Sequence, residues 1–95
     1  MVLELASIKV IHGKEQDFEN AINKAQDILI QAEGYVSHEF KKCVEVQNHY
    51  ILLITWKSLE DHTEGFRKSE LFKEWRALIG SFFEEAPEVL HYNKF

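Results

Sequence analysis

The chain has 95 residues, 45% of them hydrophobic, which is enough for one compact domain with a single core and too few for two. Eleven lysines and arginines stand against sixteen aspartates and glutamates, and the basic residues are dispersed from Lys9 to Lys94. A nucleic-acid surface needs a concentrated basic patch that releases counterions, so the composition argues against that class.

The opening residues MVLELASIKV alternate instead of placing a cationic end before a long apolar run, so they suit neither a signal peptide nor a membrane span. A cytoplasmic location is the expectation. Val2 to Ile11 reads as a strand with Val2, Ala6, Ile8 and Val10 on one face and Leu3, Leu5 and Ile11 on the other, both at least partly covered. After Gly13 the period changes. Phe18, Ala21, Ile22, Ala25, Ile28, Leu29 and Ala32 recur at three-and-four spacing, which predicts a helix of about five turns, with Gly34 suited to a left-handed closing position.

YVSHEFKKCVEV returns to period two, with Val36, His38, Phe40 and Val44 opposite Tyr35, Ser37, Glu39, Lys41 and Cys43. A polar turn at Gln47 and Asn48 leads into a partner strand, so a hairpin is expected. In that strand Tyr50, Leu52, Ile54 and Trp56 face one way, and Ile51 and Leu53 the other. Cys43 is the only cysteine, which excludes an intrachain disulfide and suggests a partly buried structural thiol.

Ser58, three residues before Asp61, can cap a short helix that carries Leu59, His62 and Phe66 on one side. Ser69 can cap a second helix, ELFKEWRALIGSFFEEA, with Leu71, Phe72, Trp75, Leu78, Ile79, Phe82 and Phe83 as a broad apolar surface. Pro87 disfavours helix at Ala86, and EVLHYNKF alternates as a last strand. The element order predicts an α+β, ferredoxin-like split β-α-β fold with a four-stranded antiparallel sheet. Helices cover one face of such a sheet, yet the strands carry apolar residues on both. A homodimer through the open sheet face follows, with Leu52 and Ile54 as positions where a charge would disrupt it.

GYVSHEF, ITWKSLEDHTEGFRKSELFKEW and PEVLHY together resemble the antibiotic biosynthesis monooxygenase domain family, whose members form dimeric α+β barrels. The resemblance runs from Val2 to Tyr92, so residues 2–92 form one such domain. It implies a cofactor-independent monooxygenase acting with dioxygen on a small aromatic phenol or hydroquinone, with no metal. Trp56 matches a pocket tryptophan of the cofactor-free oxygenases and Arg76 a pocket arginine. His62 stands where those enzymes tend to carry a tyrosine, and Leu52 where they carry an asparagine. Haem degradation is disfavoured, because Arg76 occupies the position of the iron-binding histidine and Ala6 that of a first-strand asparagine.

Oxygenation without a cofactor requires a base near neutrality to ionise the phenol and a fixed positive or hydrogen-bonding group to hold the anion. His62 and Arg76 are the expected catalytic pair, and Trp56, His38, Phe40 and Phe72 the expected substrate-binding residues. The same residues also suit plain packing, and His38 suits a dimer interface or the core. The alternative is therefore a non-catalytic dimeric module that binds a small apolar ligand or serves a stress response.

Overall fold

The computed structural model describes residues 1–95. Its elements are β1 (Val2–Lys9), α1 (Glu15–Leu29), β2 (Tyr35–Lys42), β3 (His49–Trp56), a one-turn π-helix (Asp61–Phe66), α2 (Glu70–Ile79), a 3-10 turn (Gly80–Phe82) and β4 (Glu88–Tyr92). The four strands form one antiparallel sheet in the order β2-β3-β1-β4. The helices pack on one side of it, as expected for the ferredoxin-like arrangement.

Alternation in β1 and β3 decides what the helices cover. Val2, Glu4, Ala6 and Ile8 from β1, and Tyr50, Leu52, Ile54 and Trp56 from β3, are all buried. They meet Phe18, Ile22, Ala25 and Leu29 of α1 and Trp75 and Ile79 of α2 in a single core. Glu4 is the one charged side chain in this inward register of β1, a position that the apolar reading of the strand passes over.

Several boundaries differ from the sequence reading for identifiable reasons. In β2 the pairing slips by one residue between Tyr35 and Ser37. The bulge turns Val36 out to solvent and brings Tyr35 to the inner face beside His38 and Phe40. Leu59 is exposed and does not share the buried side of His62 and Phe66, because the chain widens into a π turn there. The last helix stops at Ile79, not near Ala86. Phe83 leaves it to bridge Val10, and backbone bonds from Ile11 N–H to Phe82 and from Glu84 N–H to Lys9 tie the exit to the end of β1. Asn48 is a buried clamp as well as a turn residue, donating from its side chain to Val10 O (2.9 Å) and Glu84 Oε2 (3.1 Å).

The opposite sheet face carries Leu53, Leu5 and Leu90 in one cross-strand row, with Leu3 beside Tyr92 in the next. Leu90 and Tyr92 are about half exposed, at 48% and 47%. Leu52 and Ile54 do not belong to this face. They point under the helices at 3% and 2% exposure, so the open face is represented by Ile51 and Leu53 instead.

Two local devices fix the helix approaches. Ser69 Oγ accepts the Phe72 N–H at 3.2 Å and caps α2 as expected. Gly34, at φ +84°, turns the chain into β2, and a Cβ there would run into the side chain of Asp61. Replacing Ser69 with alanine should cost about 1 kcal/mol in denaturant unfolding. Gly34→Ala should cost more, on the order of 1–3 kcal/mol from the left-handed backbone alone. A larger loss for Ser69 than for Gly34 would contradict the assignment of the tight approach to Asp61.

Candidate functional site

A cavity of about 350 Å³ lies between the inner sheet face and the π-helix, α2 and the segment leading into β4. Ala6, Ile8, Leu52, Ile54, Phe66 and Ile79 make much of its apolar wall. The volume falls in the range of small-molecule sites. Four of its lining residues are ionisable or charged: Glu4, His62, Arg67 and Arg76.

The carboxylate of Glu4 is buried and has two partners, one of them backed by a second histidine. Trp56 donates its indole Nε1–H to Glu4 Oε1 at 2.9 Å. His62 Nε2 lies 3.3 Å from the same oxygen. His62 Nδ1 in turn faces His91 Nε2 at 2.8 Å. With Glu4 ionised, one proton arrangement on two neutral rings satisfies all three contacts. His91 donates from Nε2 to His62 Nδ1, His62 donates from Nε2 to Glu4, and Glu4 Oε1 accepts from both His62 and Trp56. Glu4 Oε2 has no hydrogen-bond partner, and no buried side-chain oxygen or nitrogen lacks one, so Oε2 remains accessible at the cavity wall.

Electrostatics follow from burial. Desolvation pushes the Glu4 carboxyl above its usual value, opposed by the Trp56 hydrogen bond and the Arg67 charge. His62 is lowered from 6.5 to about 4, chiefly by burial, then by the positive charge of Arg67 and by the neighbouring His91. His91 is lowered too, by burial and then by Arg67. An ion pair with Glu4 would have raised His62. Both partners are withdrawn from water, however, and that penalty outweighs the attraction across 3.3 Å.

The sequence-derived site residues separate into three groups. His62, Arg76 and Phe72 line the cavity together. Trp56 is fully buried behind it, stacked on His62 with ring centroids 5.3 Å apart and 16° between planes, so it supports the wall instead of forming it. His38 and Phe40 lie elsewhere, under α1 on β2. His38 bonds Tyr35 Oη and Gln26 Oε1, and Phe40 lines a smaller cavity with Phe18 and Tyr50. A His62 base titrating near neutrality is not met, since both ring nitrogens are engaged and burial holds the ring neutral.

Three contributors lie outside the sequence-derived site: Glu4, Arg67 and His91. Glu4 could have been found as the lone acid in the inward register of an otherwise apolar strand. His91 shares the inward side of β4 with Val89, directly opposite Glu4 in the strand pairing. Arg67 carries no such signal, because its reach to the cavity depends on the π turn.

Arg67 and Arg76 are the only arginines in the chain, and neither lies within ion-pair distance of a carboxylate. Arg76 lies between two aromatic rings, its guanidinium carbon 6.0 Å from the Phe72 centroid and 5.8 Å from that of Phe83. Gly80 leaves room for it, since a Cβ there would approach Arg76 Nε to 3.3 Å.

The His62 ring is expected to stay neutral, with its proton on Nε2, as the pH is lowered to about 5. Nitrogen chemical shifts of the imidazole would read both properties, and a titration near 6.5 would contradict the buried chain. Linkage gives the sign for stability. The unfolded state takes up a proton at 6.5 that the folded state resists until about 4, so this histidine makes the fold less stable as pH falls through that window. Glu4 works oppositely. Its raised value makes the fold less stable as pH rises above 4.5.

Comparison with known proteins places this geometry. The family model described as antibiotic biosynthesis monooxygenase matches residues 1–78. A Bacillus subtilis (strain 168) protein of uncharacterised role, YczJ, is 44% identical over 92 residues, 97% of each chain. Among solved structures, a Bordetella bronchiseptica protein assigned to the antibiotic biosynthesis monooxygenases superposes with a TM-score of 0.95 at 35% identity, over 99% of this chain and 96% of that one. SnoaB, a cofactor-independent oxygenase from Streptomyces nogalater, shares the fold at a TM-score of 0.84 and 15% identity, over 99% and 92% of the two chains. With its sheet order, its cavity between sheet and helices and a family match over most of its length, the chain belongs to the antibiotic biosynthesis monooxygenase family.

Proposed function

We propose that this protein is a cofactor-independent monooxygenase that oxygenates a small, electron-rich phenol or hydroquinone held as its anion in the cavity between the sheet and α2. The observation that carries this reading is the pair of arginines without a carboxylate partner on a predominantly apolar cavity. A guanidinium without a carboxylate partner at such a wall is a ready counter-charge for a bound anion. The apolar walls and the volume suit a small, flat aromatic body.

The chemistry needs little from the protein beyond ionisation and orientation. Loss of the phenolic proton raises the electron density of the ring, so that the anion can pass one electron to dioxygen. Recombination of the two radicals at a ring carbon that bears hydrogen gives a peroxide anion, which takes back the proton lost at the start to become a hydroperoxide. Loss of water from it leaves a carbonyl, with one oxygen atom in the product and the other in water. Leu52 and Ala6 offer no polar group to this process, so the polar work falls to the four ionisable or charged side chains of the lining.

We propose also that the protein is a homodimer formed through the open sheet face. Support comes from the Leu53–Leu5–Leu90 row and the exposure of Tyr92, which together make a patch that a second copy would cover. Leu53→Lys should give monomer or aggregate by light scattering while leaving the helix-covered core intact. A dimer that survives the change would place the contact elsewhere.

The function is tested by oxygen uptake with metal-stripped protein across a panel of anthrones and reduced quinones. Uptake above autoxidation is expected, and Arg76→Ala and Arg67→Ala should each raise KM on the order of ten- to hundred-fold, the worth of a hydrogen bond to a charged group. Saturable binding of the panel without uptake would replace the oxygenase with a binding module.

A further inference from the structure

Resting on the reading of an ionisable phenolic ligand, we propose that Glu4 Oε2 is the base that takes the ligand's proton, while His62 and His91 position that carboxylate. The two oxygens of Glu4 are unequal. Oε1 is held by Trp56 at 2.9 Å and by His62 at 3.3 Å, while Oε2 has no partner and remains accessible at the cavity wall. A carboxylate fixed at one oxygen and open at the other presents a lone pair in a defined direction, which is the geometric requirement on a general base.

The proton balance is simple. The phenolic O–H bond breaks, its electron pair stays on the phenolate oxygen, and a new O–H bond forms on Glu4 Oε2. Oε1 then becomes the carbonyl oxygen of a neutral acid and can still accept from both Trp56 and His62. No hydrogen bond of the buried chain has to break when the proton arrives, so the acceptor is preorganised for both of its states. His62 cannot compete for the proton, because its Nε2–H points at Glu4 and its Nδ1 is occupied by His91.

Charged and titratable groups face Glu4 from each surrounding element: His62 on the π-helix, Arg67 just after it, His91 on β4, and Arg76 across the cavity on α2. The two histidines are held neutral and the two arginines stay cationic, so they favour the ionised carboxylate before transfer and the phenolate after it. Burial of Glu4, which raises its proton affinity, acts in the direction a base requires.

Glu4→Gln tests the assignment with little change of shape, since the amide oxygen can accept from Trp56 and His62 in place of Oε1. The probe is 4-nitrophenol, whose phenolate is yellow, titrated into each protein at a pH where most of the free probe is protonated. Protons exchanged with the solution are counted with an indicator. Wild type should bind the probe as the yellow anion with no net proton release, because Glu4 keeps the proton. Glu4→Gln should either bind colourless probe or release one proton for each phenolate bound. Equal proton release by both proteins, colourless probe in wild type, or no binding would each overturn the proposal.

Oxygen uptake separates this proposal from the function it rests on. Turnover of an oxygenated substrate should fall in Glu4→Gln on the order of a hundred- to ten-thousand-fold. It should then recover as pH rises through the substrate's own ionisation, a rescue that a merely structural loss would not show. Proton capture without oxygen uptake by wild type would keep Glu4 as the acceptor and end the oxygenase reading. Uptake with the same pH profile in both proteins would keep the oxygenase and remove Glu4 from it.

Discussion

A carboxylate on the inner face of β1 cannot be sealed under two helices unless donors are brought to it, because stripping an isolated charge of water costs several kcal/mol even after relaxation. Glu4 meets this constraint through the sheet itself. Its cross-strand neighbours are Ile54 on β3 and His91 on β4, and Trp56 follows two residues after Ile54 on the same face. The indole therefore reaches Glu4 from one side, while the π-helix lowers His62 onto it from above. Stacking of His62 on Trp56 and packing of Phe66 against the same indole then join the buried polar group to the hydrophobic core. Satisfying one carboxylate thus dictates the rotamer of the tryptophan, the tautomer of the histidine and the seat of the π-helix.

The frame was legible in the sequence because it rests on periodicity. Alternation in β1 and β3, the three-and-four spacing of α1 and the serine before α2 are local patterns, and each produced the expected element. The family resemblance was legible for the same reason, being carried by residues spaced along these elements. The site was only partly legible. His62, Arg76 and Phe72 converge on one cavity, but Trp56 lies behind the wall, and His38 and Phe40 were displaced by a difference that periodicity cannot reveal: β2 lies at the sheet edge beyond β3, under α1, away from the strands that flank Glu4. Sidedness along a strand can be read from alternation, whereas position across the sheet is a property of topology. The helix end at Ile79 was missed for a related reason. Phe82 and Phe83 fit a continued helical stripe, but the backbone at Lys9, Val10 and Ile11 competes for the same segment through long-range hydrogen bonds.

The cavity carries charge of both signs. A buried acid stands in the strand wall, and the only two arginines of a chain with net charge −5 stand on the π-helix exit and α2. Apart from these groups and His62 the lining is apolar. Arg67 lies near enough to act on Glu4, His62 and His91, whereas Arg76, beside Phe72 and Phe83, adds a second positive group on α2, so an ionisable ligand meets both signs of charge at this wall. Wider reach is limited. At physiological ionic strength the field of two arginines is screened over about 8 Å, and the rest of the surface is predominantly acidic. An anionic ligand is therefore captured by close contact at the cavity and gains little from long-range attraction.

The π turn between Asp61 and Phe66 has a further consequence, which concerns chain length and not charge. Arg67 N–H reaches back to His62 O at 2.9 Å, five residues away, so His62 and Arg67 come to lie over one another and both face the cavity beside Phe66. In an α-helix the fourth residue, not the fifth, closes that bond, and Arg67 would be rotated past the opening. The site thus depends on one surplus residue in a short turn. Substitutions at the exposed positions Glu64 and Gly65 leave that count unchanged, whereas deleting either would restore the tighter period and carry Arg67 away from the cavity while the sheet stayed whole. Along this segment, spacing constrains the site more tightly than residue identity, and a deletion here would separate the fold from its pocket.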